Sequence, residues 1–420
     1  MEVRMGYKQT EVGVIPKDWE VGKLNDILVK FQNGYAFSST GYLKDGIPII
    51  TMAQIGLDGN FQFDSNTVNY WSAKYIAKLK DFLLCKGDII IAMTDVTPQK
   101  NLIGRMAIIK INQEFLLNQR VGHLIINKDK VNAIFLVAFS NSRPWRNYSI
   151  SSASLGVQAN IGKKDILAGM IPLPTIQEQT FIAAALSDAE ALISSLEKLI
   201  AKKRNIKQGA MQELLKPKVG WEIRKMAEIG RPYGGLSGKS KEDFADGNFP
   251  YIPFMNIMSN PIIDVNYMDY VAIKSGENQN QAQKGDLFFN GSSETPEEVG
   301  MCSVLCDDIP NLYLNSFCFG FRLNKELQTD GLYLAYFFRS SEGRKLLFSL
   351  AQGATRYNLS KSNFLKMRLS LPKPEEQTLI ANTLKDMDAE ISALETKLGK
   401  HRMIKKGMMQ TLLTGQIRLI

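Results

Sequence analysis

The chain has 420 residues, too many for one comfortable core, so two or more domains are expected. Its apolar fraction of 45% excludes wholesale disorder, and no run of about 18 uncharged apolar residues is present to cross a bilayer. The net charge of +9 fits a polyanionic partner without identifying one. In chain order, residues 1–19 mix charges with glycine and lack the apolar core of a secretion signal. Short β-branched runs at 46–51, 88–93, 105–111 and 122–127 predict strands. A helix is expected at 131–140, and another at 332–339 in the second half. Loops rich in Gly, Ser, Asn and Tyr fall at 32–41, 94–104 and 149–162, then at 231–240, 290–300 and 352–362.

An internal repeat decides the organisation. Shifted by 198 residues, 173–215 lies on 371–413 without a gap, and 23 of the 43 pairs are identical, so the chain is a duplication. Outside that stretch only anchors persist. Trp19-Glu20-Val21 answers Trp221-Glu222-Ile223, and Pro48-Ile49-Ile50 answers Pro250-Tyr251-Ile252. Lys86-Gly87-Asp88 answers Lys284-Gly285-Asp286, and Leu117-Asn118 answers Leu314-Asn315. Each half is therefore a variable domain followed by a nearly constant segment.

The constant segments predict long helices. Leu173-Pro174 and Leu371-Pro372-Lys373-Pro374 disfavour helix before them, and Glu178 and Glu375-Glu376 place negative charge in the first turn. Apolar residues then step by four and three. Ile182, Leu186, Ala189, Ile193, Leu196 and Ile200 are answered by Ile380, Leu384, Met387, Ile391, Leu394 and Leu398. That is the seam of a coiled coil, interrupted at Lys203 and His401 and expected to resume through Ile206 and Ile404. Each helix should run about 38 residues, roughly 57 Å at 1.5 Å per residue, and needs a partner; the other copy is the obvious one.

Catalytic motifs are missing. Methyl transfer to a base amine calls for Asn/Asp-Pro-Pro-aromatic, whereas Asn260-Pro261 is followed by Ile262; no Gly-x-x-x-x-Gly-Lys-Ser/Thr is present for ATP. Glu395-Thr396-Lys397 imitates a nuclease Glu-x-Lys but lies on a predicted coiled-coil surface. Four cysteines are too few for a disulfide framework, which suits a reducing cytoplasm. Cys302, Cys306 and Cys318, with only His123 and His401 in reserve, read as core thiols rather than a zinc site. No metal and no cofactor are expected. The basic clusters Lys202-Lys203-Arg204 and Lys400-His401-Arg402, with Lys405-Lys406, either complement the helix dipoles or meet phosphate or a protein partner.

Several segments together resemble one family. The opening Thr10-Glu11-Val12-Gly13-Val14-Ile15-Pro16-Lys17-Asp18-Trp19-Glu20-Val21 is similar to the entry of the first target-recognition domain in specificity subunits of type I restriction-modification systems, the HsdS family. Leu173-Pro174 with Glu178-Gln179, and Leu371-Pro372 with Glu376-Gln377, resemble the starts of that family's two shared helices. Lys207 to Leu215, and Lys405 to Gly415 followed by Arg418, resemble their ends; in the first copy Lys216-Pro217 stands where a glycine is found in the second. The resemblance implies an α+β fold with two mixed α/β target-recognition domains separated by two long helices. Those helices form an intramolecular antiparallel coiled coil with a pseudo-two-fold. The expected segments are a first recognition domain at 1–172, a helix at 173–215, a second recognition domain at 216–370, and a helix with a C-terminal tail at 371–420.

The function implied is recognition, without catalysis, of an asymmetric, bipartite double-stranded DNA target. The partners implied are two methyltransferase subunits and restriction (endonuclease and translocase) subunits, with no membrane. The alternative is a structural coiled-coil adaptor that binds DNA weakly; diversified loops between preserved anchors argue against it. Donors for guanine or phosphate are Lys100, Arg143, Arg146, Lys239, Lys241 and Arg356, and Gln158, Asn160, Asn256 and Asn358 can pair with adenine. Tyr35, Tyr233 and Tyr357 either meet bases or pack in turns. Asn160 and Asn358 occupy matching repeat positions, so a shared structural turn is a second reading for them. Ile182, Leu186, Ile193, Leu196, Ile380, Leu384, Ile391 and Leu394 are the expected helix-interface residues.

Overall fold

A computed structural model describes residues 4–154, 158–244, 247–353 and 355–420. Parts of two expected loops, 155–157 and 354, lie outside the described residues, as do 1–3 and 245–246. The chain divides into two compact units, one formed by Met1–Glu197 with Lys397–Ile420 and the other by Lys198–Thr396. None of the described helices is long and apolar enough to cross a membrane.

The first unit holds a four-stranded antiparallel sheet in the order Met106–Ile108, Ile89–Ala92, Val121–Ile126, Leu28–Asn33. Beside it, Ile47–Ile50 runs parallel to Phe115–Leu117 in a second sheet. Strand side chains alternate between faces, and Ile89-Ile90-Ile91-Ala92 uses both. Ile89 and Ile91 enter a core with Trp19, Phe135 and Trp145, whereas Ile90 and Ala92 enter one with Ile50, Phe115 and Leu117. Helices Ala133–Ser140 and Arg143–Ser152 follow. The second unit repeats this plan. Its sheet runs Gly230–Gly234, Cys318–Leu323, Leu287–Asn290, Cys302–Val304. Phe249–Ile252 lies parallel to Tyr313–Leu314, and helices Gly331–Arg339 and Ser341–Phe348 follow.

The sequence anchors are the hinges of this plan. Gly87 and Gly285 turn the chain at φ +100° and +88°, a region that favours glycine. The Asp after each caps its turn: Asp88 accepts from the Cys85 amide at 2.8 Å and Asp286 from the Gln283 amide at 2.9 Å. Leu117-Asn118 and Leu314-Asn315 lie against glycines. A Cβ on Gly34 would fall 2.0 Å from the Asn118 carbonyl oxygen, and one on Gly235 2.1 Å from that of Asn315.

The long helices span Ile176–Leu214 and Pro374–Leu412. Each starts where a glutamine closes the entry loop. Gln179 donates to the Pro174 carbonyl at 2.9 Å and Gln377 to that of Pro372 at 2.8 Å. Each also accepts an amide of its own domain, from Asn132 and Asp330 respectively. Ile182, Leu186, Ile193 and Leu196 are buried in the first unit, and Ile200, Ile380, Leu384 and Ile391 in the second; Leu394 is half-buried. The pairing is antiparallel within each unit. In the first, Glu190 meets Lys405 and Glu197 meets Arg402; in the second, Lys203 meets Glu390 and Lys207 meets Asp388.

The seam departs from expectation at one place. Ile206 and Ile404 do not resume it; they are 46% and 45% exposed. From Ile200 and Leu398 the inward positions fall at 203 and 207, and at 401 and 405. At 203, 207 and 405 lysine stems cover the seam while their ammonium groups reach carboxylates of the opposite helix, and His401 fills the fourth position.

Candidate nucleic-acid interface

In each unit three separated segments form one small ladder. In the first, the Met93 amide donates to the Arg120 carbonyl at 3.0 Å, and the Ile161 amide donates to the Met93 carbonyl at 2.9 Å. Ala159 and Asn160 then pair antiparallel with Asp95 and Thr94. In the second, the Gly291 amide donates to the Phe317 carbonyl and the Leu359 amide to the Gly291 carbonyl, both at 2.9 Å. Tyr357 and Asn358 pair with Ser293 and Ser292, and Gln352 lies on the far side of Asn358. The expected loops 94–104 and 149–162 thus share one edge of the first unit, and 290–300 and 352–362 share the matching edge of the second.

Of the thirteen candidates, five present side chains at these edges. Asn160 and Asn358 are exposed, and each amide donates to the carbonyl two residues back, that of Gln158 at 3.0 Å and of Arg356 at 3.3 Å. The shared bond supports the shared turn, while the other side-chain atoms face out. Gln158 and Tyr357 are half-buried. Arg356 is exposed, with its guanidinium 5.6 Å above the ring of Phe317. Tyr35 belongs to a different aromatic group, 41% exposed and edge-on to Phe37 at 4.9 Å and Phe82 at 5.3 Å. Arg143 and Lys241 are exposed elsewhere.

The remaining five candidates have their polar atoms engaged inside the fold. Lys100 donates to the Ala153 carbonyl at 3.2 Å. Arg146 is buried and donates to the carbonyls of Ile103, Lys100 and Asn101, stapling the 94–104 loop; burial pushes its pKa down to about 10. Asn256 is fully buried, donating to the Asp264 and Tyr267 carbonyls and accepting the Asp264 amide. Lys239 pairs with Glu277 at 2.6 Å, and its hydrogen bond holds that carboxyl down to about 2. The Tyr233 hydroxyl donates to Asp286 at 2.6 Å beneath the Arg322 guanidinium, and burial raises its pKa.

Two sets of residues escaped the sequence reading. One is Arg120 and Phe317, which follow the Leu-Asn anchors at an interval of two. The other is the set of carboxylates facing the basic clusters: Lys207 with Asp388 and Lys405 with Glu190 are the same pair shifted by 198, as are Arg204 with Glu395 and Arg402 with Glu197. The conserved shift was available in the sequence as a signal. Glu190 also accepts from Asn60 of its domain at 2.7 Å, and Asp388 from Tyr336 of its domain at 2.8 Å. Burial opposes ionisation of Glu190, but Lys405 and Asn60 outweigh it and hold the carboxyl below its usual range. A cleft of about 530 Å³, lined by Asn60, Phe61, Lys110, Val137, Leu186, Glu190 and Met409, lies beside this contact.

Among the described residues, no three His, Cys, Asp or Glu side chains are grouped to hold a metal. Cys302 and Cys318 are buried, and burial raises both thiol pKa values.

The family model for the type I restriction modification DNA specificity domain matches this chain twice, at residues 16–207 and 218–400. The chain belongs to that family. Among its relatives is a putative type I restriction enzyme MjaX specificity subunit of Methanocaldococcus jannaschii, 28% identical over 98% of this chain and 97% of the relative. The EcoKI specificity subunit of Escherichia coli is 22% identical over 97% of this chain and 90% of its own length. The crystal structure of the type I restriction-modification system S subunit from M. genitalium shares the fold, with a TM-score of 0.56 at 14% identity, covering 94% of this chain and 96% of that one. The family's two domains correspond to the duplicated plan of sheets and helices described above.

Proposed function

We propose that this chain is the DNA-recognising subunit of a type I restriction-modification complex, in which each domain reads one half of an asymmetric split target. The observation that carries this is the pairing of one repeated scaffold with two unlike sets of edge side chains. Beside the shared Asn160 and Asn358, Gln158 and Ala159 stand in one unit where Arg356 and Tyr357 stand in the other, and Arg120 where Phe317 stands. Two readers of one build and different chemistry suit two unlike half-sites, because sequence is read where side chains meet base edges.

The helices are proposed to scaffold the methyltransferase subunits, with restriction subunits joining them. Exposed apolar side chains on the helices, including Phe181, Leu192, Leu379 and Met403, support a protein partner there. The chain itself is proposed to be non-catalytic, since the base-amine and ATP motifs are absent from its sequence. Co-expression with a type I methyltransferase subunit in a methylase-free host, followed by sequencing of modified bases, tests the reading. A single bipartite motif is expected. Methylation by the purified chain alone, or a continuous symmetric motif from the complex, overturns it.

A further inference from the structure

We infer that Arg120 and Phe317 are equivalent specificity-determining positions, each reading one base pair of its half-target. This deepens the reading above and rests on it. The two residues differ completely in chemistry, yet the backbone around them is the same. The Arg120 amide donates to the Asn118 side-chain oxygen at 3.1 Å, and the Phe317 amide donates to that of Asn315 at 2.8 Å. On the other side, the Arg120 carbonyl accepts from Met93 and the Phe317 carbonyl from Gly291, residues that are themselves 198 apart. The Asn in each turn is fixed in turn, its amide donating to Ile50 in one unit and Ile252 in the other, both at 3.1 Å.

So both hydrogen-bonding groups of the backbone are engaged, while the side chains project outward. Arg120 is exposed, and among the described residues its guanidinium makes no hydrogen bond or ion pair; Phe317 is 56% exposed. The Phe317 ring lies at the ladder edge beneath the Arg356 guanidinium, with more than half of its surface open to solvent. The scaffold holds the main chain and leaves the side chain exchangeable. Each position also borders the loop ladder that carries Asn160 or Asn358.

The chemistry assigns the contacts. The Arg120 fork matches the O6 and N7 acceptors of guanine, and the Phe317 ring offers an apolar surface to the thymine methyl group. The test uses the full chain in complex with its methyltransferase subunits and a plasmid library randomised through both half-targets, read by sequencing of modified bases. Arg120→Ala is expected to lower discrimination for guanine at one position of one half by about tenfold or more. Phe317→Ala should relax one thymine of the other half several-fold, and Phe317→Arg should redirect that position towards guanine. Thermal melting of each variant should match the parent, since neither side chain is buried. If the parent gives a split motif and the variants leave every base preference unchanged, or lose methylation equally on all sequences, the assignment is overturned alone. If the parent gives no split motif, the recognition reading falls and the assignment with it.

Discussion

Lysine, arginine and asparagine can reach nucleic acid only where nothing in the fold has claimed them. Asn256 and Asn358 carry the same amide, but Asn256 binds three backbone groups inside the second unit and Asn358 only one at its surface. Asn256→Ala should therefore cost about 3 kcal/mol or more of stability through orphaned carbonyls, read as a fall in the unfolding midpoint. Asn358→Ala should leave that midpoint nearly unchanged and alter base preference instead. For Arg356→Ala we expect a loss of about 1–3 kcal/mol at one base pair of one half-target, measured by competition binding of the complex. This distinction was not legible in the sequence. Lys100, Arg146, Lys239, Tyr233 and Asn256 all resembled donors, and their partners lie 4 to 53 residues away along the chain, as the bonds of Asn256 with Asn260 and of Lys100 and Tyr233 show.

Helices behave differently, because their signals are local and periodic. The long segments and their need of one another were readable from the 4-3 stepping and the duplication, and the antiparallel sense was implied by the family resemblance. The continuation through Ile206 and Ile404 was not, because a lysine stem fills a seam as well as an apolar residue once a carboxylate waits across it. Ile193 is buried in the seam of the first unit. Ile193→Asp should release the helices and abolish methyltransferase assembly, detectable by size-exclusion chromatography of co-expressed subunits. Tyr336→Phe is a milder change. It removes the bond from the second domain to Asp388 and leaves the Lys207 pair in place. Half-target sequences should be preserved, whereas the tolerated spacer length should broaden; an unchanged spacer distribution would count against a positioning role for that hydroxyl.

At the scale of the whole molecule, the duplication dictates what can be exchanged. Replacing residues 216–370 with the second domain of another family member should change one half-target and spare the other. A swap that altered both halves in the modified-base map would mean that recognition is not divided between domains. The preserved anchors explain why such exchange is tolerable: Gly87 and Gly285, and Gly34 and Gly235, fix turns and close approaches through backbone alone. The repeated ion pairs carry a further consequence, in terms of symmetry. Each links an acid of one repeat to a base of the other, yet every repeat contains both kinds: Glu190 with Lys207 and Glu197 with Arg204 in the first, Asp388 with Lys405 and Glu395 with Arg402 in the second. A single repeat is therefore self-complementary. Two copies of residues 1–215 could satisfy the same charges across an isologous interface, giving a homodimer whose two readers are identical and whose DNA target is a palindrome.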